Sequence, residues 1–153
     1  MTMSAPGRSD CIFCKIIRRE APASIVREDD ATLAFMDIRP MVPGHVLVIP
    51  KAHCVLLEEL PAGGAGLLLE AAREVSAALR KSGLPCEATS LYVANGREAG
   101  QEVPHLHIHV LPRSRNDGFG LRPPPGYGAT PGRADLESTA ARIRERLGPS
   151  RAG

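Results

Sequence analysis

Pro104-His105-Leu106-His107-Ile108-His109-Val110-Leu111-Pro112 is the stretch whose reading decides the fold. Successive residues of a strand point to opposite faces, so the alternation predicts one strand with His105, His107 and His109 on one face and Leu106, Ile108 and Val110 on the other. A half-buried strand ordinarily shows Ser, Thr, Lys or Glu on its wet side. Three imidazoles line it instead with nitrogens that donate, accept, bind metal or attack phosphorus at neutral pH, because the unperturbed imidazole pKa is about 6.5. Two plainer alternatives stand beside this: solvated imidazoles on a polar face, and a zinc site on histidines at i and i+2. A catalytic zinc would also want a general base and an open coordination position, which the triad alone does not supply.

Working outward, Asn95-Gly96-Arg97-Glu98-Ala99-Gly100-Gln101 leads into the histidine strand, and its glycines free the backbone to approach a ligand. Thr89 to Ala94 reads as a strand before it. Further upstream, Leu67, Leu68, Ala71, Ala72, Val75, Ala78 and Leu79 fall at helical spacing opposite Glu70, Arg73, Glu74 and Arg80, predicting a helix from about Gly66 to Lys81 with Gly83 as its stop. His45-Val46-Leu47-Val48-Ile49, entered from Pro43-Gly44 and stopped by Pro50, is a central strand. Ser24 to Arg27 and Ala31 to Asp37 form a hairpin across Glu28-Asp29-Asp30. Asp10 is placed to cap a short helix to about Ile17, after a mobile tail over residues 1–9. Residues 114–133 hold five glycines and four prolines and read as an irregular loop. Leu136, Ala140, Ile143 and Leu147 predict a C-terminal helix over about 134–148, ended by Gly148-Pro149.

These elements make an α+β fold: a mainly antiparallel five-stranded sheet with the long helix packed on it and a helix at the C-terminus. At 153 residues the chain suits one domain, with its core over about 11–113. Hydrophobic content of 43%, charged content of 24% and a formal charge of +2 are globular values that argue against a nucleic-acid or membrane surface. The polar start lacks a signal-peptide core and no apolar run reaches a membrane span, so a cytoplasmic protein is expected. Four cysteines in a reducing compartment read as thiols or metal ligands rather than disulfides.

The triad, with Asn95-Gly96 and Ala99-Gly100-Gln101 before it, resembles the signature of the histidine triad (HIT) superfamily of nucleotide hydrolases and transferases. Ile12-Phe13-Cys14-Lys15-Ile16-Ile17, Ala34-Phe35-Met36-Asp37-Ile38, Pro43-Gly44-His45-Val46-Leu47-Val48-Ile49-Pro50-Lys51 and His53 resemble family segments in the expected order, from about Cys11 to Arg113. The resemblance implies that His107 is the nucleophile taking up a nucleoside monophosphoryl group. It places His109 near the phosphate and leaving group, and His45 as the fourth active-site histidine. The backbone at His105 then helps fix the His107 tautomer. It further implies phosphate contacts at Asn95, Gly100, Gln101 and Val103, ribose contacts at Asp37, and an apolar nucleoside cleft of Ile12, Phe13, Ile16, Phe35 and Ile38. Taken singly, each of those apolar residues is as well explained by plain core.

The implied activity is hydrolysis of nucleoside 5′-phosphoramidates or dinucleoside polyphosphates of a purine nucleotide through a nucleotidyl-histidine. The alternatives are a non-catalytic nucleotide-binding regulatory or scaffold protein and a nucleotidyltransferase. No organic cofactor is expected, and the resemblance implies a homodimer. Cys11-x-x-Cys14 lacks the second Cys pair of a zinc ribbon and the preceding strand of a thioredoxin-like motif. In the family, such a pair belongs to a structural zinc site completed by histidines here at His53 and His105, against the alternative of reduced, unmetallated thiols. Cys54 and Cys86 read as ordinary cysteines. Glu102 departs from the Ser or Thr that eukaryotic hydrolases of the family carry, and the terminal helix is more similar to bacterial members.

Overall fold

Three central strands buried on both faces build the molecule outward in both directions. The computed structural model describes residues 9–147; the predicted tail before Ser9 and the stop at Gly148-Pro149 lie outside them. In order come α1 (Ile12–Ile17), β1 (Ile25–Glu28), β2 (Thr32–Met36), β3 (Val46–Pro50), α2 (Gly64–Leu79), β4 (Ala88–Tyr92), β5 (Ile108–Arg113) and α3 (Arg133–Leu147). Short 3₁₀ turns sit at Leu57–Glu59 and Arg97–Ala99. The five strands form one antiparallel sheet in the order β1-β2-β3-β5-β4.

Ala34, Val46, Val48, Ile108 and Val110 point to one face, where Leu68, Ala71, Ala72, Val75 and Leu79 of α2 bury against them. Their spacing of three and four is the apolar stripe of an amphipathic helix. Leu33, Phe35, Leu47 and Ile49 point to the opposite face and pack against Cys11, Phe13, Cys14 and Ile16 of the α1 segment. The register aligns Phe35 with Leu47, Leu47 with His109, and His109 with Tyr92. That row crosses four strands and carries the functional side of the sheet.

The structure corrects three boundaries. Helix α1 starts after Cys11, not at a cap by Asp10, and no side chain caps it; the Cys11 side chain is turned inward instead. Helix α2 begins two residues before Gly66, with Gly63 in the left-handed region at φ 83°, and ends at Leu79, where the chain tightens through Lys81 N–H donating to Ala78 C=O. The histidine strand begins only at Ile108. Pro104 offers no N–H to a ladder, and His105 N–H turns back onto Val103 C=O at 2.8 Å, which takes His105 out of strand geometry. The side-chain alternation nevertheless survives: Leu106 joins the α2 side, while Phe13 meets both His105 and His107 on the other.

At the end of β5, Arg113 holds the following loop by a fork to Asp117, a bond to Ser90 Oγ, another to the Phe119 carbonyl, and its own stacking over the Phe119 ring. The chain divides after Phe119 into two units. In the second, residues 120–132 are irregular with a turn in which Tyr127 N–H donates to Pro124 C=O, and α3 follows. Asp135 in its first turn and Arg144 and Arg146 in its last match the helix dipole. No helix among the described residues is long and apolar enough to cross a membrane.

Candidate functional site

All the histidines of the chain fall into two adjoining groups joined by the short run from His105 to His107. His107 is almost fully buried, with the edge of Phe13 against its ring. Its Nδ1 lies 2.6 Å from the carbonyl of His105. A carbonyl only accepts, so Nδ1 carries the proton and Nε2 keeps its lone pair. Burial lowers the His107 pKa, opposed by the His105 carbonyl and then by the carboxylates of Asp37 and Glu102. The ring is therefore a neutral base with one defined basic nitrogen.

His109 is fixed through a chain of donors. Met41 N–H points at His45 Nδ1 at 3.2 Å, so that nitrogen accepts and the proton of His45 sits on Nε2. His45 Nε2 is 2.9 Å from His109 Nδ1 and donates to it. His109 consequently carries its own proton on Nε2, as a donor beside the His107 ring 4.8 Å away. Burial and the neighbouring His107 and His45 push the His109 pKa down to about 4, against the pull of Asp37. His45 is also lowered by burial, although Asp37 Oδ2 stands 3.6 Å from its Nδ1 and opposes the shift. Tyr92 stacks at a tilt on His109, 5.2 Å between ring centres.

The second group is Cys11, Cys14, His53 and His105, whose ligand atoms all lie within 4.8 Å of one another. His105 Nε2 donates to the Pro50 carbonyl at 2.8 Å, which leaves Nδ1 as a lone pair facing the cluster. From that Nδ1, Cys11 Sγ is at 3.4 Å, Cys14 Sγ at 3.7 Å and His53 Nδ1 at 3.3 Å, and Cys14 Sγ is 3.3 Å from His53 Nδ1. Ligands 2.0–2.3 Å from a tetrahedral ion stand about 3.3–3.8 Å apart, so the donor set and its spacing fit zinc. Burial pushes the His105 pKa to about 4, keeping the imidazole neutral as a metal ligand requires.

The other sequence-predicted residues divide. Phe13, Ile16 and Phe35 are buried together, Ile12 is half-exposed, and Ile38 is 90% exposed. Val103 packs against the same cluster. Asp37 faces His45, and its Oδ1 accepts the Arg39 N–H at 2.7 Å. Gly100 lies in the left-handed region at φ 91°, and Gln101 ties its loop down by accepting Gly96 N–H and donating to Val55 C=O, both at 2.9 Å. Asn95 is turned to the 57–59 turn, bonding Leu57 N–H and Glu58. Sequence reasoning missed Tyr92 and Arg39. Tyr92 is found only through the β4–β5 register, and Arg39 only through its ion pair with Glu102 at 2.8 Å.

An antiparallel sheet carrying a tautomer-fixed imidazole pair beside a Cys₂His₂ cluster defines the class of protein. The chain belongs to the HIT family: residues 18–116 match the HIT domain. It is 40% identical over 114 residues to the adenylylsulfatase HINT3 of Arabidopsis thaliana, covering 74% of this chain and 57% of that relative. A zinc-bound histidine triad family protein from Mycobacterium smegmatis superposes with a TM-score of 0.71 at 33% identity, over 91% of this chain and 99% of that one. A histidine triad nucleotide-binding protein from Candida albicans superposes with a TM-score of 0.80 at 31% identity, over 90% and 97%.

Proposed function

We propose that the chain is a nucleotide hydrolase that cleaves the bond between a nucleoside 5′-phosphoryl group and its leaving group through a covalent intermediate on His107. The observation that carries this reading is the 2.6 Å bond from His107 Nδ1–H to the His105 carbonyl, which leaves Nε2 as the nucleophile. The Nε2 lone pair forms the N–P bond as the bond from phosphorus to the leaving group breaks and its electrons depart with that group. An anionic leaving group needs no proton, while an amine takes one from water. Water oxygen then attacks phosphorus, the N–P electrons return to His107, and the surplus proton goes to solvent. Two easier displacements replace one hard one. His109 Nε2–H donates to a phosphoryl oxygen as charge develops on it.

In this reading Asp37 accepts the ribose hydroxyls, and Phe13, Phe35, Ile12, Ile16 and Ile38 supply the apolar wall for the base, with Val103 on the phosphate side. Gly100 and Gln101 shape the phosphate side, with Asn95 reaching it only after leaving Glu58. The adenylylsulfatase activity in the name of the Arabidopsis relative and the nucleotide binding in that of the Candida protein fit such a site. Cys11, Cys14, His53 and His105 would hold zinc, which would cross-link α1 to the segment leading into the active site. A homodimer fits the edge position of β4, where Leu91 is exposed beside Leu69 of α2; Leu91→Arg should then shift the mass in light scattering to that of a monomer.

The test is AMP release from adenosine 5′-phosphoramidate, adenylyl sulfate and diadenosine tetraphosphate, with acid-quenched protein weighed for an adenylyl adduct. Wild type should turn over at least one substrate, and His107→Ala should lose turnover and adduct alike. Nucleotide binding without any release would replace the hydrolase by a binding protein.

A further inference from the structure

The strongest charged feature the mechanism leaves unused is the ion pair between Arg39 and Glu102. Its guanidinium Nη2 and carboxylate Oε2 are 2.8 Å apart although the residues are separated by 63 positions, and both side chains are exposed, at 80% and 75%. Both ends are mounted on fixed backbone. Arg39 N–H is held by Asp37, which faces His45; Glu102 follows Gln101, whose amide is bonded at both ends. Arg39 thus rises from the wall that carries Asp37, His45 and His109. Glu102 rises from the segment that runs through Val103 to His105 and His107. The pair bridges the two walls at the solvent side of the site.

We propose, resting on the hydrolase reading, that Arg39 and Glu102 form the leaving-group selector of this site, with Glu102 favouring amine leaving groups, which develop positive charge, over anionic ones. The displacement geometry supplies the first step. A nucleophile and its leaving group lie on opposite sides of the phosphorus, so a group displaced by the buried His107 departs outward. The nucleoside end takes the apolar wall at Phe13 and Phe35. The outward end meets the exposed pair.

Charge supplies the second step. The nitrogen of a phosphoramidate takes a proton from solvent as the P–N bond begins to lengthen, so positive charge develops on it before the bond's electron pair goes to nitrogen and it departs as a neutral amine. A carboxylate beside it stabilises that developing charge. Sulfate or a phosphate chain leaves as an anion and is repelled by the same carboxylate. Arg39 holds Glu102 in place and offsets part of its charge. The pair is exposed and screened, so it contributes little to stability and its partners are free to exchange.

Adenosine 5′-phosphoramidate and adenylyl sulfate make a matched pair of probes, with ammonia and sulfate as leaving groups on the same nucleotide. The quantity read is the ratio of their kcat/KM values in wild type, Glu102→Gln and Arg39→Met. Glu102→Gln should lower the amide-to-sulfate ratio roughly three- to tenfold, the size expected of one unit charge acting across several ångströms near a wet surface. Arg39→Met, which leaves Glu102 unpaired, should raise it. Far-UV circular dichroism and unchanged thermal midpoints establish that both variants are folded, as expected for exposed positions. Ratios within twofold of wild type in both variants overturn the selector while leaving the hydrolase intact. A ratio within twofold of wild type in Glu102→Gln together with weaker sulfate cleavage in Arg39→Met overturns the preference assigned to Glu102 in favour of Arg39 as an anion seat. Wild-type protein that releases AMP from neither probe overturns the hydrolase reading and the selector with it.

Discussion

His45 Nε2 stands 2.9 Å from His109 Nδ1, and because Met41 N–H already occupies the other nitrogen of His45, the direction of the hydrogen bond between the two rings is set by the backbone. Replacing His45 with Gln should therefore act through His109. A glutamine can rotate to offer either its amide N–H or its oxygen, so the tautomer of His109 is no longer fixed. We expect kcat to fall by about ten- to a hundredfold with KM changed much less, and His45→Ala to fall further. A raised KM with kcat unchanged would assign His45 to ground-state binding instead.

The acid limb of activity should lie below the ordinary imidazole range. Protonation of His107 at Nε2 removes the attacking lone pair, and burial holds its pKa below the ordinary imidazole value. A lowered pKa keeps the free base to lower pH. The kcat/KM profile should thus be flat above neutrality and turn down only below about pH 6.5. A midpoint at or above pH 7 is the contrary result.

Much of this architecture is legible in the sequence, for a reason visible at Val46 to Ile49 and at Leu68 to Leu79. Strand period two and helix period near 3.6 are local properties, and the faces they assign are the ones that bury. Pairing order is not local. That Tyr92 lies opposite His109 depends on β4 closing onto β5 as an edge strand, and nothing in Ala88 to Tyr92 states a partner. The same holds for Arg39, whose meaning appears only when the β4–β5 connection brings Glu102 to it. The strand starts later than the alternation implies because alternation reads side-chain direction and not the backbone ladder. Pro104 and the turn of His105 N–H onto Val103 end the ladder while the alternation continues.

Metal content separates the two readings of the cysteines. Elemental analysis of the purified protein should give about one zinc per chain, and Cys14→Ser should lose most of it, because a hydroxyl replaces a thiolate in a four-ligand site. Since binding free energy at such a site is folding free energy, chelation should lower the thermal midpoint of wild type and leave the variant unmoved. Equal, metal-free samples would assign the pair to reduced thiols.

Core truncation under α2 should cost stability and little else. Leu68 is 1% exposed and packs between the helix and the strands that carry no catalytic groups on that face. Leu68→Ala should cost about 2–5 kcal/mol in urea unfolding, while turnover below the transition remains near wild type. A large loss of kcat at full folding would mean that α2 positions the opposite face of the sheet more tightly than its contacts suggest.

The buried imidazoles make stability itself pH-dependent, with a definite sign. His109 is 9% exposed and its folded pKa is about 4, whereas an unfolded histidine titrates near 6.5. Above pH 6.5 both states are neutral and the group contributes no slope. Between about 6.5 and 4 the unfolded chain binds a proton that the folded one does not, so stability falls as pH falls. It levels off below the folded value. The gap corresponds to a ceiling on the order of 3 kcal/mol for this one group. His45, lowered in the same direction by burial, adds to it. Carboxylates held low in the fold, such as Asp29 and Asp117, lose their contribution only as pH falls further. The window from pH 6.5 to 5 therefore isolates the histidines. Urea unfolding of the zinc-loaded protein across that window should show a decline, and His109→Gln, which keeps a polar side chain but cannot titrate, should show a shallower one. An unchanged slope in the variant would mean that His109 keeps its proton equilibrium on folding, contrary to its burial beside His45 and His107.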